Sequence, residues 1–323
     1  MPANESFYGP LADLLKEYIF LKRASGRKYI AEAKQWHRFD SFSVQFCNPK
    51  NTLSKDLVMA WAQRRPSEKA QTQAKRINAI KQFSKFMAER GYDAYVWPYM
   101  PPRSDALYAP YIFSEVEMAQ ILSLADGYLS TNMSQNLHLT VPVAMRLLYG
   151  CGLRAAELTN LKVRDVDIEN GLLMIRESKF RKSRIVPMAD TLVKKCAEYM
   201  QTTGSIEDED RFFLCNPWGD KYQPSAVYYW FRNLLYKAGI PHGGKGAGPR
   251  LHDIRHTFAV HSLKRYALAG KDISSMLPFL SAYMGHCDLR GTQIYLRLTP
   301  DMFPHVTNIM KSFYAGGDLY GGD

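Results

Sequence analysis

A chain of 323 residues exceeds what one hydrophobic core usually serves, so two domains are expected, and an apolar share of 46% suits a folded protein. The sequence argues against membrane, secreted and disulfide-built classes: the apolar stretch Val141 to Leu153 carries Arg146, no opening segment has secretory-signal order, and the five cysteines (Cys47, Cys151, Cys196, Cys215, Cys287) form no C-x-x-C pair. The net charge of +11 is unevenly spread, with 18 basic against 10 acidic residues in Met1 to Pro110 (+8) and 24 against 21 in the remainder (+3). Such a cationic front third attracts a polyanion by releasing its counterions, so a cytoplasmic nucleic-acid partner is expected in preference to an anionic membrane.

From Pro10 to Tyr92 the apolar spacing is helical. Leu11, Leu14, Leu15, Tyr18 and Ile19 share one face, and Ile77, Ile80, Phe83 and Met87 share a later one. Ser54 and Ser67 stand as N-caps, and Gly26 and Gly91 as stops, which predicts a bundle of four helices. On the last helix Lys75, Arg76, Lys81 and Lys85 are candidate DNA contacts, with a merely solvated face as the alternative. Trp97 to Arg103 is too rich in proline for helix or central strand and reads as a linker, so the domains are expected at 1–105, with a linker to about 110, and 111–323. Ser114 to Glu117 has the spacing of a capping box. Beyond it, strands are expected at Val163–Ile168, Leu172–Ile175 and Arg184–Val186, with Asn170-Gly171 as a hairpin turn. Helices should follow from about Asp190, Ser225 and His252. The expected fold class is mainly α with a small antiparallel β-sheet, in two domains.

Four segments carry groups suited to phosphate chemistry. In Tyr149-Gly150-Cys151-Gly152-Leu153-Arg154, two glycines end one helix and Arg154 opens the next, with Glu157 close enough to brace it. The turn Ser178 to Arg184 is a basic hairpin tip: Arg181, Lys182 and Arg184 could touch DNA, and Lys179 could pass a proton to a leaving oxygen. In Leu251 to Phe258, His252, Arg255 and His256 lie on one helical face. Two histidines at i,i+4 also admit a zinc site, yet Asp253 stands where a zinc hydrolase would have glutamate. Finally, Met284-Gly285-His286 is followed nine residues on by Tyr295.

The order Arg154, Lys179, His252, Arg255, His286, Tyr295 resembles the tyrosine recombinase (phage integrase) family, and the resemblance covers the whole chain. It departs at Met284, where leucine is usual, and at Leu296-Arg297, where Thr-His is frequent. The resemblance implies a SAM-like helical core-binding domain before a catalytic domain. It also implies cleavage of DNA by Tyr295 to a 3′-phosphotyrosyl end and a free 5′-hydroxyl. In that scheme His252 is the general base and Arg154 and Arg255 grip the non-bridging oxygens. Lys179 (or Lys182) acts as general acid, His286 binds the phosphate, and Glu157 and His256 support. No metal or cofactor is expected. The implied partners are double-stranded DNA and further copies of the chain, four on two sites; Met302, Phe303, Val306 and Ile309 would pack either on a neighbouring copy or on their own. Without an arm-binding domain before the bundle, a Xer-type or mobile-element recombinase is expected, serving integration, excision, transposition or dimer resolution. The rivals are a type IB topoisomerase-like nicking enzyme, a non-catalytic DNA-binding regulator and the zinc hydrolase.

Overall fold

The computed structural model describes residues 6–27, 29–46, 49–99, 110–130, 135–176, 183–204, 208–243, 248–285 and 295. The chain divides into two compact units, Met1–Tyr108 and Ala109–Asp323.

The first unit holds α1 (Ala12–Ala24), α2 (Ile30–Ser43), α3 (Lys55–Ala62) and α4 (Ala70–Ala88). Its core is made by the expected stripes, Leu11, Leu14, Leu15, Tyr18 and Ile19 against Ile80, Phe83 and Met87, with Trp36, Phe39 and Trp61 filling the centre. Tyr18 meets Trp36 and Phe83 edge-on at 5.7 and 5.3 Å, the orientation that the ring quadrupoles favour. Ser54 caps α3 by accepting from the Leu57 N–H. Ser67 is no cap: it sits at φ 61, and Lys69 precedes α4 without a side-chain cap.

Arg76 requires a correction. It lies four residues before Ile80 and seven before Phe83, which puts it on the buried stripe of α4. Its Nη2 meets Glu68 Oε2 at 2.6 Å, with the two side chains only 5% and 8% exposed. A second bond runs to the Gln63 carbonyl at 2.8 Å, and Trp61 lies beneath the guanidinium. Arg76 therefore holds the α3–α4 corner and offers nothing to DNA. Lys75 and Lys85 are exposed and Lys81 is partly exposed.

In the second unit come α5 (Glu115–Asp126), α6 (Leu137–Gly150), α7 (Ala155–Asn160), α8 (Asp190–Thr203), α9 (Pro224–Lys237), α10 (Asp253–Leu268) and α11 (Ile273–Met284). α5 opens with the expected capping box: Ser114 Oγ accepts from the Glu117 N–H, and the Glu117 carboxylate accepts from the Ser114 N–H. The sheet is β1 (Val166–Asp167), β2 (Leu172–Ile175) and β3 (Arg184–Pro187), antiparallel in the order β1-β2-β3. The first strand is shorter than expected because Val163–Asp165 winds into a 3-10 turn. Gly171 turns the hairpin at φ 66, helped by the Asp167 carboxylate, which accepts from the Asn170 N–H.

Apolar α6, with Val141, Ala144, Met145 and Leu148 buried, forms the centre of the larger core. Val141, Met145 and Leu148 each contribute roughly 1.5–3 kcal/mol by leaving water. α10 packs on α6 and α11, so that three segments meet: the turn after α6, the start of α10 and the end of α11. The described thiols Cys151, Cys196 and Cys215 are free and buried, as expected of reduced cysteines. Among the described residues no helix is long and apolar enough to cross a membrane.

Candidate active site

α10 presents His252, Arg255 and His256 within its first turn. Arg255 is 1% exposed, and its guanidinium donates to the Gly152 carbonyl at 2.5 Å and to the Met284 carbonyl. Burial, and then neighbouring Arg154, push its pKa down to about 9, which still leaves it charged at neutral pH.

Two glycines make this arrangement possible. Gly152 stands at φ 58, where a Cβ would lie 2.5 Å from the Phe258 ring, so only glycine lets the turn after α6 approach α10 and offer its carbonyl to Arg255. Gly285, at φ 66, ends α11, and a Cβ there would press on Arg184 at 3.1 Å. The last carbonyls of a helix have no internal partners and carry the negative end of its dipole. Here three consecutive ones are taken by three arginines: Tyr283 by Arg184 at 2.8 Å, Met284 by Arg255, and Gly285 by Arg154 at 3.4 Å.

The same arginines surround one carboxylate. Glu157 is 8% exposed and meets Arg154 Nη1 at 2.6 Å, Arg184 Nη1 and Nη2 at 3.0 and 2.9 Å, and Arg255 Nη1 at 3.9 Å. It also accepts from the Arg154 backbone N–H at 2.9 Å, which caps α7. Three guanidiniums around one carboxylate make a positively charged centre. Arg154 has the most accessible side chain, 23% exposed against 9% for Arg184 and 1% for Arg255.

Arg184 is thus a second correction: it is not at the DNA-facing tip of a hairpin. Strand alternation points it inward with Val186 while Ile185 faces out, and both carboxylate oxygens of Glu157 occupy its fork. Its inward register was a signal present in the sequence and overridden by the basic run around it.

Tyr295 is 1% exposed, and its hydroxyl lies 3.2 Å from His256 Nδ1. Burial raises the phenol pKa, while Arg255 and Arg154 pull it back down. Burial likewise lowers the pKa of His256, against the opposing charge of Asp253. His252 is exposed and stands edge to face with His256, ring centroids 4.8 Å apart. The structure therefore gathers Arg154, Glu157, Arg255, His256 and Tyr295, with His252 at the rim. Lys179, Arg181, Lys182 and His286 lie outside the described residues, as do Met302, Phe303, Val306 and Ile309. Among the described residues no three His, Cys, Asp or Glu side chains stand together to hold a metal.

The sequence model of the phage integrase family matches residues 113–302, which span Arg154, Arg255 and Tyr295 alike. The chain belongs to the phage integrase family. It is a tyrosine recombinase, a DNA strand transferase acting in site-specific recombination, and similarity extends well beyond the matched region. A Sinorhizobium fredii protein named as an integrase/recombinase is 28% identical over 297 residues, covering 89% of this chain and 93% of that protein. Tyrosine recombinase XerA of Pyrococcus horikoshii is 31% identical over 226 residues, covering 69% of this chain and 68% of the relative. Among solved structures, the Tn1549 transposon integrase in complex with a circular intermediate DNA superposes with a TM-score of 0.61 at 18% identity, covering 87% of this recombinase and 94% of that chain. At that identity the likeness establishes the two-domain recombinase fold.

Proposed function

We propose that this recombinase cuts and rejoins double-stranded DNA through a covalent bond between Tyr295 and a backbone phosphate, and that Arg154 and Arg255 hold that phosphate. The observation that carries the reading is the convergence of a phenol and a cluster of guanidiniums exceeding their carboxylate in number. Such a cluster favours an anion, and most of all the extra charge on a five-coordinate phosphorane. The phenol oxygen attacks phosphorus, the P–O5′ bond breaks, and the phosphotyrosyl ester conserves the energy of the broken bond. An incoming 5′-hydroxyl then reverses the step and releases the phenol. Tyr295 and Arg255 are both buried at 1%, so the phenol must swing outward for its oxygen to reach a bound phosphate.

Lys179 is assigned as acid to the leaving 5′-oxygen, with Lys182 the alternative, and His286 as a phosphate ligand. His252, exposed at the rim, is assigned to the same phosphate or to a proton in transit. Lys75, Lys81 and Lys85 would contact backbone phosphates, as would Arg181 and Lys182. The helical unit is assigned as the core-binding domain and the second as the catalytic domain, acting in the cytoplasm as four copies on two DNA sites.

The test is a duplex nicked beside the cleavage site, which traps the adduct. Tyr295→Phe should retain DNA binding and form no adduct, and strand cleavage by that variant would refute the assignment. Recombinant product from two duplex sites separates this reading from a topoisomerase-like nicking enzyme.

A further inference from the structure

Resting on that reading, we infer that Arg184 is a positioning residue of the cleavage step, holding Arg154 on the phosphate through the Glu157 carboxylate that the two arginines share. Each oxygen of that carboxylate takes one bond from each arginine. Oε1 accepts from Arg184 Nη1 at 3.0 Å and from Arg154 Nη1 at 2.6 Å, and Oε2 accepts from Arg184 Nη2 at 2.9 Å and from the Arg154 backbone N–H at 2.9 Å. Two parallel bonds from a planar fork fix the plane of the carboxylate as well as its place. The carboxylate in turn fixes both the backbone and the guanidinium of Arg154, three residues before it.

Arg184 can do this because it is itself held. Its side chain is 9% exposed, and its Nε donates to the Tyr283 carbonyl at 2.8 Å. The Tyr283 hydroxyl returns to the Pro187 carbonyl at 2.8 Å, so β3 is tied to the last turn of α11 at both of its ends. Gly285 leaves the room that the guanidinium occupies, since a Cβ there would stand 3.1 Å from Arg184 Nη1.

Charge explains what a second arginine adds at this carboxylate. With Arg154 alone, Glu157 would make a neutral pair of the kind that Arg76 makes with Glu68, and much of the attraction for a phosphate would be cancelled. With Arg184 present, the carboxylate orients Arg154 while the group keeps a net positive charge. A correctly aimed fork matters most as charge builds on the non-bridging oxygens of a five-coordinate phosphorus. Arg184 should therefore act on the rate of cleavage and not on DNA affinity.

The experiment follows adduct formation in a single turnover by the full chain, on a nicked duplex drawn from the DNA flanking its own gene. The natural phosphate is compared with the two isomers of a methylphosphonate, in which a methyl group replaces one non-bridging oxygen and removes its charge. Arg184→Gln is expected to slow cleavage of the phosphate about 10- to 100-fold at unchanged DNA affinity, as when the outer partner of a catalytic group is removed. On the isomer whose methyl group faces Arg154 that ratio should fall toward one, because the oxygen that Arg154 holds is gone. Arg184→Lys, which keeps the charge and loses the fork, should recover part of the loss on the phosphate. Adding Arg184→Gln to Arg154→Ala should cost little more than Arg154→Ala alone. A near-wild-type rate in folded Arg184→Gln, the same ratio on the phosphate and on both isomers, or full multiplication of the two single losses would each overturn the inference. If Arg184→Gln does not fold, Arg184→Lys is carried through the same comparison. Cleavage that survives Tyr295→Phe would instead sink the recombination chemistry itself.

Discussion

Both units bury an arginine against a glutamate, and the two pairs behave differently. In the helical unit Arg76 and Glu68 close on each other at 2.6 Å, one charge to one, over the face of Trp61. In the second unit Glu157 is shared among Arg154, Arg184 and Arg255. The first arrangement is neutral, one charge against one, so it serves as a structural clasp. The second keeps an excess of positive charge next to a phenol, an arrangement that costs stability until an anion arrives. A buried ion pair alone says little about function. The ratio of charges within the cluster says much more.

The sharpest way to break this contrast is to swap arginine for lysine in both places. Arg154→Lys keeps the charge and loses the fork, so cleavage is expected to fall about 100- to 1,000-fold, with DNA affinity nearly unchanged. Equal losses in cleavage and affinity would reduce Arg154 to a binding residue. Arg76→Lys should leave cleavage alone and lower only the melting temperature.

Removing the carboxylates should rank them. Glu157→Gln leaves three guanidiniums around an uncharged amide and should cost about 3–5 kcal/mol in denaturant unfolding. Glu68→Gln, which removes the charge from a carboxylate that accepts from Arg76 Nε at 3.2 Å and Nη2 at 2.6 Å, should cost about 1.5–3 kcal/mol. Equal costs would mean that the two clusters are equivalent.

Acid should reveal the clasp by itself. The hydrogen bond from Arg76 holds the Glu68 carboxyl below its ordinary pKa. A group depressed on folding stabilises above its unfolded value, and that stability is lost as pH falls through the folded one. The melting-temperature gap between wild type and Glu68→Gln should therefore be full at neutral pH and shrink steadily below about 4. A gap indifferent to pH would show that the pair does not stabilise through charge.

The smallest effect concerns the exposed row. Lys75→Ala and Lys85→Ala should each reduce the slope of log affinity against log salt by about one, whereas Arg76→Met should not change it. A salt slope altered by Arg76→Met would reverse the assignment of that residue to the interior.

Much of the fold can be read directly from the sequence because it depends on local rules. The stripe through Leu11, Leu14, Leu15 and Tyr18, the Ser54 cap and the Ser114–Glu117 box lie within a few residues of their partners, where helix geometry alone decides the outcome. Ser67 fails as a cap because the chain there turns left-handed at φ 61 before α4 begins at Ala70. Asn170-Gly171 does mark a turn, but the 3-10 coil at Val163–Asp165 leaves only two residues of the first strand to pair.

By itself the sequence singled out a phenol, two arginines and their neighbours as one candidate site, since their order along the chain carries the family resemblance. It also determined where helices start and strands alternate, because those depend on backbone and side-chain periodicity. Only the tertiary structure decided which basic residues face inward, that His256 meets Tyr295, and that Arg184 shares Glu157 with Arg154. Those are contacts across 27, 39 and 131 positions of chain, such as Arg184 to Glu157, His256 to Tyr295 and Arg154 to Gly285, and no local rule reaches so far. They exist because the turn after α6, the start of α10 and the end of α11 are packed onto one another, and burial then forces every charge there to find its partner.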